Sequence, residues 1–448
     1  MASENKMGTM PEGRLIVTIS FPIMLSMLVQ ALYNIVDSAF VARISEDALT
    51  AVSLAFPVQL LMIAVATGTG VGVNALLSRR LGQKKQEEAN AVAANGVFLS
   101  VCFWLVFAVL GLLFGRSVIA LFTDVPAVID MGTSYVTVVT VASCGVFLLF
   151  VAERLMQATG NTVYHMVTQL IGAVLNCILD PIMIFGLLGF PALGTTGAAL
   201  ATVLSQIIAM SIGFFINVRF NHDVRLHLRG FRPNSGILGE IVRIGLPAAV
   251  QQSLLSILTV GLNRILMPFS QTAVSFYGVY YKLQNFLFMP VYGLNNALIP
   301  MIGYNFGAKN RRRIERITRY ALYLAVGIMA AGTVLFELIP VPLLRLFDAS
   351  DAMLALGVPA IRIISVSFCF AGASVILSGC MQGLGRGNES LWVALLRQLI
   401  VILPAEVLLS RLSLTAVWLA FPLSEAVGLA AAVLLHRRVT RRLLEPLE

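Results

Sequence analysis

The sequence predicts an all-α polytopic membrane protein. Twelve transmembrane helices form two parallel six-helix bundles related by an internal pseudo-two-fold axis. Three observations carry this. Of 448 residues, 58 % are apolar and 12 % are charged, about half the charge of an ordinary soluble domain. Twelve apolar runs are long enough to cross a bilayer, which needs about 20 residues per helix. The two halves of the chain also match at one constant displacement of 225 residues.

The spans are expected near 15–42, 51–77, 91–115, 131–155, 162–188, 193–216, 240–266, 273–303, 317–340, 357–383, 391–411 and 414–436, from an apolar window of about 19 residues. The run from Leu15 to Ala42 is too long for the apolar core of a signal peptide, so it reads as a retained span. With the N-terminus inside, 23 of the 31 basic residues fall in segments on the cytoplasmic side, a strong positive-inside bias. The net charge of +9 is therefore an orientation signal, not the signature of a nucleic-acid partner. Both termini are expected in the cytoplasm and the chain in the inner or plasma membrane, as a monomer in the lipid bilayer. The organisation read from these runs is a cytoplasmic segment 1–14, an N-lobe 15–216, a polar linker 217–239, a C-lobe 240–436 and a basic tail 437–448.

The repeat pairs Pro22 with Pro247, Gly82 with Gly307, Phe122 with Phe347, Gly132 with Gly357, Gln157 with Gln382 and Gly160 with Gly385. Six spans restore the starting orientation, so the halves are parallel repeats, the usual build of an alternating-access transporter with a central cleft. No GxxxxGK[ST] phosphate loop is present, so transport would draw on an ion gradient or on the substrate's own gradient. Enzymatic signatures are missing too. His165, His222, His227 and His436 form no HExxH, no GxSxG is present, and the five cysteines lie singly in apolar runs without zinc or disulfide spacing. The expectation is no enzyme and no cofactor.

Acids inside spans carry the sharpest signal. An Asp at a helix centre costs about 2.5 to 3.5 kcal/mol on the insertion scale, several times what a Leu contributes. Asp37 has Tyr33 one turn away and Asn34 close by. In the fifth span Asn176 and Asp180 share a face at i, i+4, and Pro181 weakens the helix beside them. Brought together, these residues would make a protonatable or cation-binding site. The competing reading is a pair of buried helix fasteners. Displacement by 225 maps Asp37 to Leu262, Asn176 to Val401 and Asp180 to Ala405, and this asymmetry favours a dedicated ion site in the first half. Glu153 and Arg154 close the fourth span near Gln157, as an ion pair or a gate. Arg264, Arg397, Glu406 and Glu425 of the second half are expected to pair among themselves. Lys282, amid Tyr277, Tyr280, Tyr281, Phe286 and Met289, is a candidate substrate-cavity lining together with Gln252; packing or an interfacial belt is the alternative.

The sequence resembles the multidrug and toxic compound extrusion (MATE) family along nearly its whole length. The resemblance rests on Val36-Asp37, Ser78-Arg79-Arg80-Leu81-Gly82, Gln157-Ala158-Thr159-Gly160-Asn161, Asn176-Cys177-Ile178-Leu179-Asp180-Pro181, Gly197-Ala198-Ala199-Leu200-Ala201-Thr202 and Gly303-Tyr304-Asn305-Phe306-Gly307-Ala308, in that order. It implies a twelve-helix antiporter that exports amphiphilic, often cationic, small molecules in exchange for H+ or Na+. It implies an N-lobe ion site at Asp37, Asp180, Asn176, Tyr33 and Thr202, with no metal beyond Na+ at Asp37, Asn176 and Asp180. Pro22 and Pro181 are the expected hinges. A second family branch carries acids in its seventh and tenth spans; here those positions are empty of acids. Two alternatives stand beside this reading: a flippase for lipid-linked precursors and a polytopic membrane enzyme.

Overall fold

The computed structural model describes residues 5–226 and 231–447. The start of the N-terminal segment, residues 227–230 of the linker with His227 and Arg229, and residue 448 of the tail lie outside the described residues. Among the described residues the chain is all helix. Ten helices are long and apolar enough to cross a membrane, and two bent helix pairs bring the number of spans to twelve. In chain order the spans are Glu12–Ala42, Glu46–Gly82, Gln86–Ala120, Pro126–Val141 with Cys144–Ala158, Thr162–Phe185, Gly194–Phe220, Ser235–Leu266, Gln271–Gly307, Arg311–Leu338, Asp351–Ser365 with Phe368–Gly383, Gly387–Ser410 and Leu414–Leu444. Each expected span is found. Most run several residues further than expected, because the polar ends that a hydropathy window discards continue the helix.

The repeat extends to local geometry. Ser45 caps the second span by accepting from the Ala48 N–H at 3.0 Å, and Ser270, 225 residues later, caps the eighth through Ala273 at 3.1 Å. Lys84 and Lys309, the next matched pair, both take left-handed backbone at φ 59° and 57°, just beyond Gly82 and Gly307. The two bent spans are equivalents as well, turning by 42° and 47°.

The chain divides into two compact units. The first holds residues 25–249 with Asn5, and the second holds residues 6–24 and 250–448. This differs from the partition at 216 and 240 drawn from the linker. Residues 6–24 pack in the second unit, where Met7, Leu15 and Ile19 are fully buried. There Asn305 donates to the Met7 carbonyl at 3.1 Å, and the Arg313 guanidinium donates to the carbonyls of Met7 and Met10. Conversely, residues 240–249 pack in the first unit. A Cβ on Gly72 would sit 2.2 Å from the Ile241 carbonyl oxygen, so the second and seventh helices approach there at backbone distance. Both boundaries lie inside helices, two residues beyond the matched prolines Pro22 and Pro247.

Candidate ion site in the first unit

Asn176 and Asp180 stand one turn apart on the fifth span and face the sixth. The reason is a close approach below them. A Cβ on Gly197 would lie 2.3 Å from the Met183 carbonyl oxygen, so only glycine lets the two helices meet at that level. Ala198 and Ala199 continue the small face and are buried. Thr202, one turn further on, is thereby carried to Asn176.

Asp180 is fully buried, Asn176 is 2 % exposed and Thr202 is 8 % exposed. In either orientation of its amide, Asn176 donates to Asp180, at 3.4 Å to Oδ1 or 3.2 Å to Oδ2. It also reaches Thr202, through Oγ1 at 3.4 Å or the backbone N–H at 3.3 Å. Asp37, from the first span, brings its carboxyl within hydrogen-bond reach of Asp180. Its Oδ1 is buried and has no hydrogen-bond partner among the described residues. Tyr33 lies within electrostatic reach of both carboxyls. The five expected ion-site residues therefore converge.

Two further residues complete the surroundings. Tyr135, from the fourth span, lies within electrostatic reach of both Asp37 and Asp180, and its hydroxyl accepts from Gln59 Nε2 at 3.0 Å. Sequence reasoning missed both. The available signals were weak: Gln59 is a lone amide in an apolar stretch, and Tyr135 is one aromatic among many. An apolar cluster that includes Val41, Phe147, Ile184 and Ala198 packs around Tyr135. On the other side, Asp37 lines a cavity of about 180 Å³ together with Ser38, Val41, Leu49, Val52, Ser53 and Phe56. A carboxyl oxygen without a partner thus stands at the edge of a space large enough for several waters.

The remaining expected residues separate. Asn34 is exposed, and only its backbone carbonyl is engaged, by Ser38 Oγ at 2.9 Å. Glu153 and Gln157 belong to a second buried polar cluster. There Arg154 donates to Gln157 Oε1 at 2.6 Å, Gln157 Nε2 meets His165 Nε2 at 3.2 Å, and His165 Nδ1 lies 3.7 Å from Glu153. In the second unit the aromatic run divides around its helix. Tyr277 and Tyr280 are buried in ring contacts with Phe276 and Phe421. Tyr281, Met289 and Gln252 are half-buried. Phe286 is exposed, as is Lys282, whose ammonium stands 5.9 Å from the Phe347 ring centroid. Glu425 pairs with Arg397, as expected of the second-half charges, but Glu406 pairs with nothing.

Two tandem helical repeats, twelve apolar spans and a buried carboxyl pair define a multi-pass membrane protein of the two-repeat transporter class. The MatE family profile matches residues 22–182 and 247–407, two segments displaced by the same 225 residues. The chain belongs to the MatE family. Multidrug export protein MepA of Staphylococcus aureus is 26 % identical over 418 residues, covering 93 % of this chain and 91 % of that protein. MepA of Staphylococcus haemolyticus is 26 % identical over 428 residues, covering 95 % and 93 %. Among solved structures, an outward-facing multidrug resistance MATE family transporter of the MOP superfamily is similar with a TM-score of 0.92 at 26 % identity, over 98 % of each chain. A MOP superfamily transporter from Pyrococcus furiosus, described as having a reversed binding-pocket polarity that suggests a different function, is similar with a TM-score of 0.91 at 26 % identity, over 98 % of this chain and 99 % of that one.

Proposed function

We propose that this chain is a secondary active multidrug exporter. It releases amphiphilic, often cationic, small molecules by alternating access in exchange for H+ or Na+ bound at Asp37 and Asp180. It acts as a monomer in the inner or plasma membrane with both termini in the cytoplasm, and it uses neither cofactor nor nucleic acid. The names of the relatives support the cargo class, and the outward-facing relative supports alternating access. The observation that carries the coupling site is the Asp37 and Asp180 carboxyls within reach of each other, with Asn176, Thr202, Tyr33 and Tyr135 around them.

Two carboxyls at that separation share a hydrogen bond only when one of them holds a proton. When both are charged they repel, unless a cation lies between them. Amide and hydroxyl oxygens from Asn176 and Thr202 suit Na+, whereas the apolar surround suits H+. Loading or unloading this pair changes the force between the first and fifth spans. Pro22 and Pro181 interrupt the helical hydrogen-bond ladders of those spans and serve as hinges. The Glu153 and Gln157 cluster acts as a secondary polar gate. One charge moving through 100 mV carries about 2.3 kcal/mol, enough to sustain roughly a fifty-fold gradient of a neutral substrate.

The test is efflux of a fluorescent lipophilic cation such as ethidium from proteoliposomes under separately imposed proton and sodium gradients. Asp37→Asn and Asp180→Asn are expected to fold, bind dye and lose gradient-driven efflux by more than about tenfold. Wild-type efflux in both variants would remove the site from the mechanism. Equal efflux without either gradient would remove ion coupling.

A further inference from the structure

The second unit carries a buried acid that the ion site of the first does not use. Glu406 sits in Ile402–Ser410, the last segment of the eleventh span, with no measurable exposure. Both carboxyl oxygens are buried and without a hydrogen-bond partner among the described residues. By sequence displacement it matches Pro181, and Ala405 matches Asp180. Helix geometry changes that match. The fifth span is a continuous α-helix from Thr162 to Phe185. The eleventh contains a π turn at Leu396–Ile400, and a π turn takes up one residue more than an α turn. Beyond it, every position is advanced by one relative to the unbroken helix. The residue that takes the turn position of Asp180 is then Glu406.

The π turn itself has a visible support. Arg397, its second residue, makes a two-point ion pair with Glu425 of the twelfth span, at 2.7 Å and 2.8 Å. Gly428 leaves room for the arginine stem, since a Cβ there would lie 2.0 Å from Arg397 Cγ. Arg397 is thus committed to Glu425 and is not the counter-ion of Glu406.

The groups that face Glu406 are few. From the eighth span Tyr277 lies within electrostatic reach and hydrogen-bonds to Thr259 of the seventh. On the seventh, Arg264 is exposed. A metal cation such as Na+ needs several oxygens around it, and this carboxyl has no second oxygen ligand bonded to it. A proton needs one.

We propose that Glu406 is a second proton-binding site, the register-shifted counterpart of Asp180 in the second unit, loading and unloading during the transport cycle. This rests on the ion-coupled reading of the first unit and adds a separate proton to it. Acid–base infrared difference spectroscopy of the purified full-length protein tests it through the carbonyl stretch of protonated carboxyl groups. Wild type is expected to show a band that fades as pH rises, disappears in Glu406→Gln, returns at a shifted frequency in Glu406→Asp, and persists in the Asp37→Asn/Asp180→Asn double variant. A parallel acid–base titration should lose one proton per chain in Glu406→Gln. Retained melting temperature and ethidium binding establish that the variants are folded; should Glu406→Gln fail to fold, the wild-type band and its persistence in the double variant decide. A Glu406 band that is insensitive to pH and to added ethidium, or absent from wild type, overturns the proposal. Loss of only the bands assigned to Asp37 and Asp180 with pH would leave the first-unit reading standing and refute this one. If no carboxyl band responds, both fail.

Discussion

The two units share a frame and differ in chemistry. Gln157 and Gln382 occupy matched positions, and each side-chain amide meets the residue eight places further on: His165 in the first unit, at 3.2 Å, and Ser390 in the second, at 3.0 Å. Around Gln157 stand Arg154, Glu153 and Asn74; around Gln382 stand only Gln251 and Ser390. The acids diverge further. Asp180 is provided with Asn176 and lies against Asp37, whereas the second unit has Val401, Ala405 and Leu262 at the corresponding positions. Its one well-paired intramembrane acid is Glu425, tied to a fixed arginine. Duplication thus preserved what packing requires, namely caps, bends, prolines and close approaches. It left the polar interior free to specialise, with exchangeable partners on one side and a permanent ion pair on the other.

The largest effect expected on stability lies in the permanent pair. Arg397→Met leaves Glu425 without its counter-ion in a low-dielectric interior, at a cost of about 3–5 kcal/mol. Replacing both, Arg397→Met with Glu425→Met, should recover most of that loss, since well-packed apolar residues replace buried pairs with little penalty. Thermal melting in detergent reads the cycle. If the double variant is as unstable as the single, the pair is more than a fastener and the contrast between the units weakens.

A smaller effect is expected where the first unit is converted toward the second. Asn176→Val installs the residue type found at position 401 and removes the amide that serves Asp180. A buried acceptor stripped of its donor costs about 1–3 kcal/mol. The same change should weaken ion coupling, read as efflux at saturating dye against external proton or sodium concentration. Normal stability together with normal ion dependence would show that Asn176 is not part of the site.

Much of this was legible before any coordinates. Twelve spans follow from apolar run lengths, and the repeat follows from matched glycines and prolines, because both reflect requirements of the bilayer and of backbone packing. The convergence of Asp37 with Asp180 was also readable, since an acid in hydrocarbon needs a partner and few are on offer. Asn34 was less certain for a geometric reason. At 100° per residue, Tyr33 stands about 40° from Asp37 on one side and Asn34 about 60° on the other, and the fold turns the second away. The aromatic run from Tyr277 to Met289 could not be resolved from sequence, because consecutive aromatics circle the helix and face different neighbours. Nor could the role of Glu406 be read. A π turn depends on the Arg397–Glu425 pair and on Gly428, three residues from two helices, so no local pattern announces the register shift. The unit boundaries were hidden likewise: they fall inside helices that show no break in hydropathy.

The smallest expected effect concerns Tyr135, a residue that the sequence did not mark. Its hydroxyl accepts from Gln59 and lies near both carboxyls, while its ring is held in the apolar cluster with Phe147 and Ile184. Tyr135→Phe keeps the ring and deletes the oxygen, which should cost about 0.5–1.5 kcal/mol for the single hydrogen bond. If the hydroxyl serves only packing, that loss appears as a lower melting temperature with unchanged ion dependence. If it belongs to the ion site, the ion concentration for half-maximal efflux should shift by about two- to tenfold, the equilibrium equivalent of the same free energy. The corresponding position in the second unit is Ala360, which has no polar atom on its side chain. A shift in ion dependence would therefore extend the chemical divergence of the two halves from the fifth and eleventh spans to the bent fourth and tenth.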